Sequence, residues 1–160
     1  MLSFRRHKRE DISYRVAWLN NRAAALYVYG TVDHLTTEAE QTAWFDQYEK
    51  EATAGLKKFF TIMAENKPIG FMGLFKIDPI KRSAKIFILI GDEEYRGQGL
   101  GREALQHLIQ VAKTELDLKT LYLEVHKKNL PAIKLYRRLG FKSLDKPVGD
   151  EMRMTYSWPG

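Results

Sequence analysis

The 160-residue chain contains no cysteine. Disulfides, zinc–thiolate centres and a thiol nucleophile are thereby excluded together. Nor does any apolar run approach the ~20 residues needed to cross a bilayer. The basic start, Met1-Leu2-Ser3-Phe4-Arg5-Arg6-His7-Lys8-Arg9, lacks the apolar segment and small-residue cleavage site of a secretory signal. A cytoplasmic protein is expected. The four histidines, His7, His34, His107 and His126, fall at no metal-ligand spacing, so no metal is expected either. No repeat, low-complexity segment or linker interrupts the chain, which predicts one domain over residues 1–160.

Charge is present and unbalanced. Lys and Arg number 26 against 20 Asp and Glu, a net charge of +6. The cations are spread along the chain rather than gathered in one patch, which argues against nucleic acid as a partner. A basic rim also raises the local concentration of a polyanionic small molecule.

The hydrophobic pattern orders the elements. Asp11 or Ser13 is placed to cap a first helix carrying Val16, Ala17, Trp18 and Ala23-Ala24-Ala25. Thr37-Glu38-Ala39-Glu40 reads as a capping box opening a helix through Trp44, Phe45 and Tyr48. Strands are expected at Lys58 to Met63, Ile69 to Ile77 and Ala84 to Ile90, with turns at Asn66-Lys67-Pro68 and Asp78-Pro79. Thr120 to His126 is a further strand. Pro131 suits the first turn of a last helix that Gly140 ends, and Phe141 starts a strand or strand-like tail. Helices, antiparallel strands and then β-α-β-α-β predict an α/β fold with a mixed sheet rather than a doubly wound one.

The most informative stretch is Arg96-Gly97-Gln98-Gly99-Leu100-Gly101. It follows the apolar, β-branched run Ile86 to Ile90 and precedes Ala104, Leu105, Leu108, Ile109 and Ala112, which share one helical face. A glycine turn between strand and helix presents unpaired amides at a positive dipole end, a place to hold phosphate. A nucleotide-triphosphatase loop needs Lys-Ser or Lys-Thr after the glycines, and Arg102-Glu103 stands there instead. A dinucleotide loop needs G-x-G-x-x-G, whereas the spacing here is G-x-G-x-G.

Arg96 to Gly101 resembles the Arg/Gln-x-x-Gly-x-Gly/Ala pyrophosphate loop of the GNAT acetyltransferase superfamily. Asn129-Leu130-Pro131-Ala132-Ile133-Lys134-Leu135-Tyr136-Arg137-Arg138-Leu139-Gly140-Phe141 resembles a second segment of that family, Asn-x-x-Ala-x-x-Leu-Tyr-x-x-x-Gly-Phe. Both lie in the family's order, and together they cover residues 89–141. Trp18-Leu19-Asn20-Asn21, with Thr37 and Trp44-Phe45, is similar to the branch acetylating ribosomal-protein N-termini, polyamines or amino-sugars. The tail 142–160 matches nothing in the family.

The resemblance implies a sheet split between two parallel strands and acetyl-CoA as co-substrate. It implies that Arg96, Gly97, Gln98, Gly99, Leu100, Gly101 and Arg102 hold the pyrophosphate. Leu89, Ile90 and Gly91 would pair with the pantetheine arm, and Asn129 would bond it from the other side. Gly91, without a Cβ, would let a ligand approach the backbone. Tyr136 would be the general acid that protonates the departing sulfur.

Glu124 sits where relatives acetylating ribosomal-protein N-terminal alanine carry a catalytic glutamate, five residues before Asn129. It is the candidate base; a hydrated, paired carboxylate and a water chain to solvent are the alternatives. The other family position for a base, at Arg82-Ser83-Ala84-Lys85, holds no carboxylate. With no cysteine, direct attack by an amine in a ternary complex is expected. O-acetyl or other acyl transfer, and a silent coenzyme-binding sensor, are the other readings. The acceptor is left open: Trp18, Asn20, Tyr27, Tyr29, Trp44, Phe45, Tyr122 and His126 are candidates to line its pocket or to be plain core. A homodimer is compatible with the family.

Overall fold

A computed structural model describes residues 1–21, 35–143 and 147–158. One seven-stranded sheet runs through it in the order β1-β2-β3-β4-β5-β7-β6. The strands are β1 (Leu2–Arg6), β2 (Lys58–Ala64), β3 (Lys67–Asp78), β4 (Ser83–Ile90), β5 (Thr120–His126), β6 (Lys142–Ser143) and β7 (Glu151–Ser157). Four α-helices are described: α1 (Ile12–Leu19), α2 (Glu38–Thr53), α3 (Leu100–Thr114) and α4 (Leu130–Leu139). Every neighbouring pair of strands is antiparallel except β4 and β5. The expected mixed sheet is present.

Two strands were not anticipated. The first residues form β1, whose edge position opposite β2 needs only Leu2 buried. Such a strand leaves too short an apolar pattern to read. In the tail, β7 inserts between β5 and β6, burying Met152 and Met154 while Glu151 and Arg153 stay exposed. The turn expected at Asn66-Lys67-Pro68 lies one residue earlier. Glu65 and Asn66 are both left-handed (φ 51° and 64°), a two-residue hairpin whose twist matches the strands. Pro68 is inside β3 at a register shift, where no ladder bond is asked of it.

Helix ends follow the expected chemistry with one exception. Thr37 Oγ1 accepts from the Glu40 amide at 3.1 Å and starts α2. Asn129 Oδ1 accepts from the Ala132 amide at 3.3 Å, and Gly140 closes α4 at φ 106°. Asp11 precedes α1 but does not cap it with its side chain. Its carboxylate instead takes both guanidinium nitrogens of Arg5 (2.9 and 2.7 Å) and the Thr61 hydroxyl (2.7 Å). The stretch Ala23-Ala24-Ala25 lies outside the described residues.

The sheet is covered on both faces. Leu105, Leu108 and Ala112 of α3 and Ile133 of α4 pack with Met72, Leu74, Ile86, Leu121, Leu123 and Met154. A second group gathers Ile12, Phe45, Tyr48 and Phe59, and a third Trp18, Leu19 and Phe71. His7 is buried in contact with Trp44, Phe45, Tyr48, Phe59 and Phe71. Because the Thr61 hydroxyl donates to Asp11, its oxygen accepts from His7 Nδ1 at 2.8 Å, leaving Nε2 buried without a hydrogen-bond partner.

Burial, with the nearby Arg15 charge, pushes His7 down to about 4. The folded chain therefore holds a neutral imidazole that the unfolded chain protonates below ~6.5. The stability that the neutral imidazole contributes is complete above that value and is lost as pH falls toward about 4. Urea denaturation is expected to show the protein roughly 2 kcal/mol less stable at about pH 5 than at about pH 7.5, a difference that His7→Gln should largely abolish.

Candidate active site

Parallel pairing between β4 and β5 lasts only three positions: Ser83 with Thr120, Ala84 with Leu121 and Lys85 with Tyr122. Beyond them the strands part. Both continue, β4 to Ile90 on β3 and β5 to His126 on β7, so each has one bonded and one open edge. The Gly91 amide bonds Ile69 on β3, so backbone alternation turns the amides and carbonyls of Ile88 and Ile90 the other way, toward the opening. Unpaired backbone groups at half-buried positions are costly unless water or a ligand bonds them.

Of the three residues expected to line this edge, Ile90 does so with its backbone. Its carbonyl accepts from Arg96 Nε at 2.9 Å. Leu89, two residues before Gly91, turns its backbone groups to β3 in the same phase, and Ile88 faces the opening. Gly91 donates to the Ile69 carbonyl at 2.8 Å, away from the opening. A Cβ on Gly91 would collide with the Trp18 indole. The missing side chain thus makes room for a core tryptophan rather than for a ligand. Trp18 is accordingly core, as is Phe45.

A short 3-10 turn, Glu93–Tyr95, leads from β4 into the glycine loop. Gly97 and Gly99 are left-handed (φ 74° and 76°), and no atom lies within 4 Å of where their Cβ atoms would stand. Backbone conformation, not crowding, therefore requires glycine at both. Gly99 caps α3, leaving the first-turn amides of that helix facing the opening. At Gly101 a side chain would only touch Leu135, at 3.4 Å. Gln98 points away and donates to the Glu94 carbonyl at 2.6 Å, bracing the loop.

These parts border one cleft of about 1030 Å³. Leu89, Ile90, Arg96, Gly97, Gly99, Leu100, Gly101, Arg102, Glu124, Asn129 and Tyr136 all line it; Gly91 and Gln98 do not. Four arginines line it: Arg15 at one end, and Arg96, Arg102 and Arg138, the last not singled out by the motifs, at the glycine-loop end. Bare backbone, a helix N-terminus and three guanidinium groups fit a diphosphate-bearing ligand. Asn129 spends its carbonyl oxygen on the α4 cap, which leaves its NH₂ group to donate.

Tyr136 stands on α4 with its ring edge-on to Phe141, centroids 5.8 Å apart. Burial pushes its phenol up to about 12, so it keeps its proton across the neutral range. Glu124 emerges from β5 on the face shared with Tyr122 and His126, opposite buried Leu121, Leu123 and Val125. One oxygen, Oε1, meets Arg153 at 3.1 Å and Lys85 at 3.3 Å. These cations, Arg153 foremost, hold the Glu124 carboxyl below its ordinary range.

The other end of the cleft is aromatic. Trp44, Phe59, Phe71, Phe75 and Phe87 line it with Arg15, Gln41, Lys57 and Lys85. The Arg15 guanidinium lies 3.6 Å from the Trp44 ring centroid and 4.7 Å from that of Phe71, and its Nε donates to Gln41 Oε1 at 2.8 Å. Trp44 and His126 are the expected acceptor-side residues that border the cleft. Asn20 instead bonds the Thr36 backbone, and Tyr122 lies under Arg153. Tyr27 and Tyr29 lie outside the described residues. Glu151, from the tail, also lines the cleft. Its signal in the sequence is the alternation with Met152 and Met154.

The sequence matches the acetyltransferase (GNAT) family over residues 27–141. The chain belongs to that family. Among its relatives, the spermidine N(1)-acetyltransferase of Escherichia coli (strain K12) is 31% identical over 134 residues, covering 84% of this chain and 69% of that protein. The ribosomal protein bS18 alanine N-acetyltransferase of the same strain is 41% identical over 73 residues, 45% of this chain and 49% of that one. Vibrio cholerae spermidine N-acetyltransferase, solved with CoA and spermine, superposes with a TM-score of 0.86 at 26% identity, covering 98% and 95% of the two chains. This GNAT protein is an N-acetyltransferase with acetyl-CoA as co-substrate, and its sheet has the split expected of the family. Among the described residues no helix is long and apolar enough to cross a membrane, and no cluster could hold a metal ion.

Two glycine substitutions separate the loop's roles. Gly99→Ala places a side chain at φ 76° in open space. It should cost about 1 kcal/mol of stability and weaken coenzyme binding roughly tenfold by re-aiming the α3 amides. Gly91→Ala should cost about 1–3 kcal/mol through Trp18. Thermal melts and calorimetric titration with CoA measure both.

Proposed function

We propose that this acetyltransferase moves an acetyl group to a primary amine by direct attack in a ternary complex, with a polyamine as the first acceptor class. The observation that carries the reading is the opening between β4 and β5, with the α3 amides at its mouth and Tyr136 along its length. Acetyl-CoA supplies the acetyl thioester. Gly97, Gly99, Leu100, Gly101 and Arg102 hold its diphosphate, with Arg96 fixing the loop to Ile90. Ile88 and Ile90 offer the open edge to the pantetheine amides, and Asn129 donates from α4.

Tyr136 donates its proton to the departing sulfur. The phenol needs no activation, because charge builds on sulfur as its bond to carbon breaks. The carboxylates at the β5–β7 edge, Glu124 among them, face the amine, and one of them takes its proton. An ammonium group is attracted to the same wall. The similarity to spermidine acetyltransferases over most of the chain supports a polyamine acceptor.

A second acceptor class has its own support. The aromatic end of the cleft carries Arg15, Lys57 and Lys85, which suit a peptide N-terminus better than a polycation. The likeness to the bS18 alanine acetyltransferase points the same way. One sheet from Leu2 to Ser157 supports reading 1–160 as a single acetyltransferase domain. Assembly into a homo-oligomer, a homodimer in the simplest case, belongs to the same proposal; a relative from Vibrio cholerae has a dodecameric structure.

Release of free coenzyme thiol from a panel of spermidine, peptide and amino-sugar acceptors tests the reading. Intersecting double-reciprocal lines are expected, and no acetylated protein should be trapped. Tyr136→Phe should lower kcat about 100-fold or more while leaving the KM for acetyl-CoA within a few-fold. Because the phenol sits at about 12, its ionisation should leave no alkaline limb in kcat below about pH 10.

A further inference from the structure

We infer that Glu151, the diagonal neighbour of Glu124 across the β5–β7 ladder, is the group that takes the amine's proton. The inference rests on the acetyl-transfer reading above and assigns a catalytic residue within it. Glu124 and Arg153 are direct cross-strand partners, as are His126 and Glu151. Glu124 and Glu151 are therefore diagonal neighbours on one face of the sheet, a separation that two long side chains can bridge. Both border the cleft.

The two carboxylates are not equivalent. Glu124 carries Arg153 and Lys85 on one oxygen, so protonating it would break two charge contacts. Glu151 has no Lys or Arg within 4 Å among the described residues. Its position is set by backbone: its amide donates to the Val148 carbonyl at 3.2 Å, and its carbonyl accepts from the Val148 amide at 2.9 Å. Just past the end of β5, the Lys127 amide donates to the Asp150 carbonyl at 2.8 Å and pins the same turn.

The groups facing Glu151 are Glu124 and His126 from β5 and Lys85 from β4. Partial burial and the Glu124 charge push the Glu151 carboxyl above its ordinary range, against weaker opposition from Lys85 and His126. Two neighbouring carboxylates hold one proton more readily than either alone. Glu124 supplies the fixed negative charge, and Glu151 accepts the proton.

The step balances without another reactant. An ammonium acceptor loses one proton to Glu151, and the freed nitrogen forms the C–N bond to the acetyl carbon. The C–S bond breaks, and the sulfur takes the Tyr136 proton. The second nitrogen proton then returns to the phenolate, directly or through water, and Glu151 releases its own to solvent.

A series of primary amines of graded basicity tests the assignment with acetyl-CoA. An enzyme that deprotonates its acceptor uses the ammonium form, whereas one without a base depends on amine that is already neutral. Glu151→Gln should therefore lose about 100-fold in kcat/KM with amines of pKa near 10, and only a few-fold with amines of pKa near 6. Its affinity for CoA, read by calorimetry, should be unchanged. Glu151→Asp should recover at least tenfold of the loss with the most basic amine.

A loss that is uniform across the series, or no loss at all, would overturn the assignment. So would a Glu151→Gln protein that no longer binds CoA, since Glu151 would then be a structural residue. An unsubstituted protein that binds CoA but acetylates no amine would overturn the acetyl-transfer reading, and this assignment with it.

Discussion

Three paired residues between β4 and β5, followed by divergence, impose the condition that the site answers. A sheet normally satisfies its backbone by lateral pairing. Here Ile88 and Ile90 have a strand partner on one side only. Arg96 takes the Ile90 carbonyl and thereby ties the glycine loop to the end of the open edge. The α3 amides and the strand edge then belong to one continuous polar surface. An extended, amide-bearing arm ending in a diphosphate satisfies both parts at once, which is why the split and the loop occur together.

The opposite face supplies the second requirement, a wall that holds its shape without a ligand. Arg15 lies between Trp44 and Phe71, and beneath them His7, Thr61, Asp11 and Arg5 form a chain of hydrogen bonds joining β1, β2 and the start of α1. Most polar atoms in that chain are matched, so it fixes one geometry rather than several. The edge strand β1 thus does more than extend the sheet. It brings His7 under the aromatic end of the cleft and anchors the helix that carries Arg15. Charge in the cleft is divided accordingly: guanidinium groups and bare amides at the coenzyme end, and at the β5–β7 edge Glu124, braced by Lys85 and Arg153, beside Glu151.

Much of this was legible in the sequence where the cause is local. The glycines at 97 and 99 are demanded by their own backbone angles, and the Asn129 cap and Gly140 stop are set within one turn of α4. The alternation of β5 announced that Glu124 would leave the core. Non-local causes were not legible. Gly91 invited a ligand on paper, but its neighbour is Trp18, brought there by the docking of α1. Leu89 and Ile88 differ by one place in register, and only pairing with β3 decides which faces the opening. Glu151 stood in a tail without recognisable motif, and its approach to Glu124 follows from the insertion of β7 between β5 and β6.

Backbone hydrogen exchange with and without CoA tests the central claim most directly, because the claim concerns amides. On saturation, protection should rise at the cleft-facing amides of Ile88 and Ile90 and at the first-turn amides of α3, while Leu89, already turned to β3, changes little. Saturable binding that leaves those amides exchanging as before, with protection appearing elsewhere, would contradict the account.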